Sequence, residues 1–233
     1  NVNEAGKILL EEDEFRHLKV LRSNVGDTIQ ITDGKGNLYT AGIEEINKHN
    51  CVASILKTVQ HSVSVPTLHL AIAPTKNMDR MEWLVEKCVE LGIFRFTFLQ
   101  CRHSERKEIK TDRLKRIAIS AIKQSGKTFL PEIGEMMPFS QFMKTDLESQ
   151  RLICAMEAGK ENHIKQLLKS GKNTLILIGP EGDFNADEYF KLVEMRSEQS
   201  QSKSINPYHL DLASQIVANA RNTWLKYQMF YIA

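Results

Sequence analysis

Two stretches of this 233-residue chain place reactive residue types at close spacing. The first is ILIGPEGDFNADEYF, Ile176 to Phe190, an apolar run that breaks at Gly179-Pro180-Glu181-Gly182 and resumes at what reads as a helix start. Glycine lets backbone N–H and C=O groups approach a ligand closely, and in parallel sheets ligands sit beyond the carboxyl ends of strands. The turn has no G-K-[ST] and no G-x-G-x-x-G, so neither a P-loop nucleotide nor a dinucleotide fits it. A purely structural β-to-α turn fits the same residues. The second stretch is RHSERKEIKTDRLKR, Arg102 to Arg116, in which Lys and Arg outnumber the acidic residues, and IKQSGK, Ile122 to Lys127, adds two lysines. One-sided basic patches are what phosphate backbones select, although a solvated helix face produces the same pattern.

Metal and redox chemistry find no support. The four cysteines (Cys51, Cys88, Cys101 and Cys154) have no metal-ligand spacing, and the seven histidines form no H-x-x-x-H pair. The expectation is reduced, mostly buried thiols in a cytoplasmic protein. With 42% hydrophobic and 26% charged residues the composition is that of a globular protein. No apolar run approaches the roughly 20 residues a membrane helix needs. Net charge is only +2, so any affinity for polyanions must be local.

These stretches need positioning elements. Glu12 to Ser23 reads as a short helix with Phe15, Leu18 and Leu21 on one face. Val25 to Ile46 holds two strand-like runs around Asp33-Gly34-Lys35-Gly36-Asn37, a hairpin turn whose glycines supply positive φ. A third run covers Cys51 to Val59. Short strands with tight turns suggest a small barrel, and Gln60 to Thr67 a linker. Beyond it the pattern changes. Leu68 to Pro74, Phe94 to Gln100, Arg151 to Met156 and Thr174 to Gly179 read as strands. Asn77 to Gly92 is a helix with Met81, Leu84, Val85, Cys88 and Leu91 at helical spacing and Gly92 as its stop. Thr111 to Gln124 is a basic amphipathic helix, and Asn185 with Glu188 at N3 is close to a capping box. The alternation predicts an α/β domain with a mainly parallel sheet and helices on both faces. Ser197 to Ser204 reads as a surface loop.

Four segments in order resemble the RsmE family of SPOUT methyltransferases. LIGPEGDFNADE is similar to the family's IGPEGGF…E. HLKVLRSNVGDTIQITDGKGNLY resembles its H-x-x-V-L-R…G-D…D-G-x-G. KNMDRMEWLVEKCVELGIFRFTFLQCRHSERK resembles K-x-x-R-x-E-x-x-x-x-K-x-x-E-L-G…S-E-R, and RIAISAIKQSGKTFLPEI resembles A-x-x-A-x-x-Q-S-x-R…P-x-I. The similarity runs from about His17 to Glu188. It implies a PUA-like β-barrel that binds RNA (residues 1–66) and a SPOUT α/β methyltransferase domain with a trefoil knot (67–233). It also implies a homodimer that uses S-adenosylmethionine to methylate N3 of a uridine in 16S ribosomal RNA, with the assembled 30S subunit as partner.

Uracil N3 is a poor nucleophile until its proton leaves, so negative charge spreading to O2 and O4 needs stabilisation. Guanidinium suits that charge. The resemblance therefore points to Arg106 first, then Arg80 and Lys127; a phosphate contact or a bridge to Glu105 would use Arg106 equally well. It places Ile178, Gly179, Pro180, Glu181 and Gly182 on the cofactor, with Glu157 and Ala158 from the end of the preceding strand. RNA contact falls to Lys19 and Arg22, to Arg113 within the basic patch, and to Lys123, Gln124, Ser125 and Lys127.

The chain departs from the family twice. Asp183 stands where the motif has its last glycine; its carboxylate either meets the cofactor or caps the following helix. Ser204 to Thr223 lacks the family's Leu-Gly, Leu-Arg and Glu-Thr-Ala. A diverged tail with weakened cofactor binding, a non-catalytic RNA-binding paralogue and a rewritten reading frame each fit that change. A related SPOUT enzyme with another RNA target is the remaining alternative.

Overall fold

The structure, a computed structural model, describes residues 6–154 and 167–194. The expected contacts Glu157 and Ala158, most of the helix expected between the Arg151–Met156 and Thr174–Gly179 runs, and the atypical segment Ser204–Thr223 lie outside the described residues. The chain divides into two compact units, Asn1–Val63 and Ser64–Ala233. Among the described residues no helix is long and apolar enough to cross a membrane, and no cluster of His, Cys, Asp and Glu could hold a metal ion.

The first unit is a four-stranded antiparallel sheet in the order β1-β4-β3-β2 with one helix. Its elements are β1 (Lys7–Glu11), α1 (Glu12–Val20), β2 (Thr28–Thr32), β3 (Asn37–Ile46) and β4 (Asn50–Gln60). Ile8, Leu10, Phe15, Leu18, Ile43 and Cys51 form its core. The β2–β3 turn is built as its residues dictate. Asp33 Oδ1 accepts the N–H groups of Lys35 and Asn37 at 2.8 and 3.1 Å, while Gly34 and Gly36 take φ values of 71° and 104°. Strand β1 is an addition to the sequence reading; its five residues alternate exposed and buried, too short a run to stand out.

Among the described residues the second unit holds a five-stranded, wholly parallel sheet in the order β7-β6-β5-β9-β8. The strands are β5 (Leu68–Ile72), β6 (Arg95–Gln100), β7 (Glu132–Pro138), β8 (Gln150–Cys154) and β9 (Thr174–Ile178). The helices are α2 (Met78–Leu91), α3 (Thr111–Ser125), the single turn α4 (Phe139–Phe142) and α5 (Ala186–Glu194). Every residue of β5 and β9 is buried, as expected of central parallel strands covered on both faces. Leu70, Ile72, Phe96 and Phe98 pack with α2 and α3. On the other face Ala71, Leu99, Leu175 and Leu177 pack with Phe139, Phe142, Phe184 and Leu192. Helix α2 has the predicted limits: the Asn77 side chain accepts the Asp79 N–H at 2.9 Å, and Gly92 closes it at φ 94°.

Strand β7 and the turn α4 were absent from the sequence reading. β7 is an edge strand that carries Gly134 and ends in Pro138. Both residues argue against a strand by propensity and are tolerated at an edge. Toward the N-terminal ends of the strands lies one buried polar chain. His69 is 2.7 Å from Glu148 Oε1 through Nδ1 and 2.8 Å from the Thr97 hydroxyl through Nε2.

Candidate active site

Three adjacent strands, β6, β5 and β9, end side by side. The loops that leave them are residues 101–110, 73–77 and 179–185. The glycine turn is therefore next to the basic stretch in space, although nearly eighty residues separate them in sequence.

The glycine turn is fixed by packing. A Cβ on Gly179 would lie 3.0 Å from the Phe184 ring and 3.1 Å from the Phe184 backbone nitrogen, so any side chain there would force Phe184 to shift. Gly182 faces the neighbouring loop, its notional Cβ 3.9 Å from His103 Cβ. Asp183 takes the left-handed conformation at φ 64°, which explains why glycine would be at home in that position. Its N–H reaches the Pro180 carbonyl at 2.9 Å, and its Oδ1 accepts the Phe184 N–H at 2.8 Å. The helix cap falls instead to Asn185. Asn185 Oδ1 accepts the Glu188 N–H at 3.0 Å and Glu188 Oε2 accepts the Asn185 N–H at 3.1 Å, a reciprocal capping box. Of the two roles open to Asp183, capping α5 is thus taken by its neighbour.

Ile178, Gly179 and Pro180 are buried, Glu181 is half-buried and Gly182 is exposed. Glu181 Oε1 is buried with no hydrogen-bond partner among the described residues. An orphaned buried carboxylate oxygen is rare and demands a donor.

Arg106 lies across the loops. Its Nε donates to the Thr75 carbonyl at 3.2 Å and its Nη2 to the Lys76 carbonyl. Two of its five N–H donors hold the β5 and β6 loops together, and among the described residues the other three have no partner. The loop itself is tied at its root: Ser104 Oγ accepts the Cys101 N–H at 2.9 Å and Ser104 N–H donates to the Cys101 carbonyl at 3.1 Å. Burial, with a further push from the Glu188 charge, drives the Cys101 thiol up to about 12, so it is a structural thiol. Lys76, Glu105, Arg106, Lys107 and Glu108 line an open groove of about 570 Å3. Arg80 is half-buried in the first turn of α2, at the same end of the sheet.

The remaining predicted RNA contacts scatter. Arg113 is bound by both its Nε and Nη2 to Glu82. Lys123, Gln124, Ser125 and Lys127 are at the opposite end of the sheet from Arg106. A crossover helix must run antiparallel to its strands, and the 15 residues of α3 span roughly 22 Å. Lys127 Nζ there points toward Gly92 at the C-terminus of α2, 3.8 Å from its notional Cβ. Within one chain Lys127 is therefore not a neighbour of Arg106. The exposed cations Lys107, Lys110 and Arg116 have no ionic partner among the described residues. They were visible in sequence only as part of a patch, because pairing is decided by neighbouring elements. In the first unit Lys19 Nζ rests 4.4 Å over the Phe15 ring and donates to the Lys48 carbonyl at 3.4 Å. Arg22 is exposed and adopts φ 56°.

Comparison with known proteins identifies the family and the fold. Residues 63–201 match the RNA methyltransferase domain family and residues 10–56 the RNA methyltransferase PUA domain. The chain is 27% identical over 216 residues to the Ribosomal RNA small subunit methyltransferase E of Rickettsia conorii, covering 91% of this chain and 87% of that protein. Among solved structures, the probable rRNA-methyltransferase from Porphyromonas gingivalis superposes with a TM-score of 0.76 at 31% identity, covering 96% of this chain and 95% of that one. The same fold recurs in the Ribosomal RNA small subunit methyltransferase E from Neisseria gonorrhoeae, whose structure holds S-adenosyl methionine. Here the TM-score is 0.74 at 23% identity, covering 94% and 92% of the two chains. Matched along most of its length, with both domains in order, the chain belongs to the RNA methyltransferase family.

Proposed function

We propose that this protein uses S-adenosylmethionine to methylate N3 of a uridine in 16S ribosomal RNA. The observation that carries the reading is the orphaned Glu181 Oε1 on the glycine turn beside the Arg106 loop. S-adenosylmethionine brings amino and ribose hydroxyl donors that suit such an acceptor. Ile178, Gly179, Pro180, Glu181 and Gly182 would hold it, with Glu157 and Ala158 from the segment that follows β8 in sequence. When bound, it supplies an electrophilic methyl group on a sulfonium.

The chain's own residues do the rest. Arg106, already anchored through two donors, presents the others to uracil O2 and O4, where charge collects as the N3 proton leaves. Arg80 adds a second cation at the same end of the sheet. The target uridine is presented out of its stack, since N3 is shielded by pairing in a duplex. Lys107, Lys110 and Arg116, with Lys19 and Arg22 of the first unit, engage phosphates. Lys123, Gln124 and Ser125 at the far end of α3, with Lys127 just beyond it, continue that track. In this reading residues 1–66 form a PUA-like RNA-binding barrel and residues 67–233 a knotted SPOUT domain. The active form is a cytoplasmic homodimer acting on the small subunit.

Calorimetry with S-adenosylmethionine tests the cofactor, and mass mapping of small-subunit rRNA from a deletion strain tests the target. The expected results are saturable binding and the loss of one methyluridine. Absence of binding at millimolar ligand would instead mark a non-catalytic RNA-binding protein, and a methyl group lost from another RNA would mark a related enzyme with a different target.

A further inference from the structure

We propose that Glu188 is a positioning residue that holds the Arg106 loop in register with the glycine turn. The inference rests on the methyltransferase reading above and extends it to a residue outside the site. A capping box needs only one carboxylate oxygen, and Glu188 Oε2 fills that role on Asn185. The second oxygen does something a cap does not require. Oε1 accepts the Arg102 N–H at 2.9 Å, from a residue 86 positions away. Arg102 starts the loop that Ser104 closes and Arg106 completes. Glu188 is only 8% exposed, so its carboxylate is held in one place between the two N–H groups. Its two oxygens thus join the turn that would carry the cofactor to the loop that carries the guanidinium. Displacement of such a loop lowers the rate of the chemical step without touching the cofactor.

The chemistry of the amide side chain isolates this second contact. Glutamine serves in capping boxes, but has one acceptor oxygen where Glu188 uses two. Glu188→Gln is therefore expected to keep the cap on Asn185 with its one oxygen and to turn its NH2 toward the Arg102 N–H, which removes the cross-link. Asn185→Ala breaks the cap from its other side and leaves the Arg102 contact in place.

The test compares the full-length wild type, Glu188→Gln and Asn185→Ala on 30S particles with labelled S-adenosylmethionine. Glu188→Gln is expected to lower kcat by roughly ten- to hundredfold, with the dissociation constant for S-adenosylmethionine within about threefold of wild type. Asn185→Ala is expected to lower the melting temperature and keep kcat. A kcat for Glu188→Gln within about twofold of wild type, or parallel losses in both variants, overturns the proposal. If the wild type itself transfers no methyl group, the functional reading fails, and amide hydrogen exchange decides the positioning role separately. Faster exchange at Arg102 and through residues 103–106 in Glu188→Gln, and not in Asn185→Ala, supports it. Unchanged protection there refutes it.

Discussion

Arg113 and Glu82 clamp α3 to α2 through two parallel hydrogen bonds, Nε to Oε1 at 2.6 Å and Nη2 to Oε2 at 2.8 Å. Arg113 therefore acts in the interior economy of the second unit before it meets any RNA. A bidentate pair with one half-shielded partner contributes about 1 kcal/mol. Arg113→Ala should lower unfolding free energy by that amount in a denaturant titration. Arg113→Lys should not restore it, because a point charge cannot reproduce the fork. Lys107→Ala and Arg116→Ala, which break no ion pair, should leave stability unchanged and weaken RNA binding more. A larger loss of RNA affinity at Arg113 than at Lys107 and Arg116 would reverse that assignment.

Gly179 and Phe184 are packed so closely that a side chain at position 179 must displace Phe184. In Gly179→Ala the new methyl would meet the ring of Phe184 at 3.0 Å and its backbone nitrogen at 3.1 Å, so ring and backbone must both give way. The cost should be about 1–3 kcal/mol in thermal or denaturant unfolding, with loss of S-adenosylmethionine binding by calorimetry. Unaltered stability would show that the turn is looser than its geometry.

Arg22 closes α1 in a Schellman arrangement: the Ser23 N–H donates to the Leu18 carbonyl at 3.2 Å and the Arg22 N–H to the Lys19 carbonyl at 3.1 Å. The left-handed residue of this motif is ordinarily glycine. An arginine kept there against its own backbone preference is consistent with use of its side chain. Arg22→Gly should raise stability by roughly 0.5 kcal/mol after the entropy of the freer unfolded chain is counted. The same variant should bind RNA more weakly, with the slope of log affinity against log salt smaller by about 1. Loss of stability in that variant would remove the inference that the site is strained.

Glu148 supplies a pH dependence. Burial raises its pKa, but the hydrogen bond and charge of His69, with help from Arg95, outweigh burial and hold it below the ordinary 4.5. A carboxyl lowered on folding stabilises the native state above its unfolded pKa. That contribution drains away as pH falls through the folded value, so the loss occurs below pH 4.5. Wild-type stability should therefore drop in this acid range by more than that of Glu148→Gln, whose amide does not titrate. At neutral pH the variant should be destabilised by about 1–3 kcal/mol, since His69 loses a charged acceptor in a buried place. Parallel acid profiles would place the sensitivity elsewhere.

Much of the fold was legible in the chain because local rules and global packing agree. The apolar spacing of Met81, Leu84, Val85 and Cys88 specified the buried face of α2, and Asn77 and Gly92 marked its ends. Asn185 and Glu188 announced their capping box. Asp33, Gly34 and Gly36 announced their turn. Strand β7 was hidden because an edge strand with Gly134 and Pro138 has neither the alternation nor the composition that marks a strand.

The glycine turn and the basic stretch were each visible in the sequence alone, and so was the family to which their order points. Residue type and spacing are local properties, and a motif needs nothing more. Their meeting was decided by tertiary structure: three parallel strands end in one row, which sets Arg106 against the Thr75 and Lys76 carbonyls and Arg102 against Glu188. The same topology carried Lys127 to the far end of the sheet, since a crossover helix must travel the length of its strands. It also sorted the basic patch into cations clamped by carboxylates, such as Arg113, and cations left to solvent, such as Arg116. Charge is written in the sequence, but which charges are neutralised depends on the elements that fold against them.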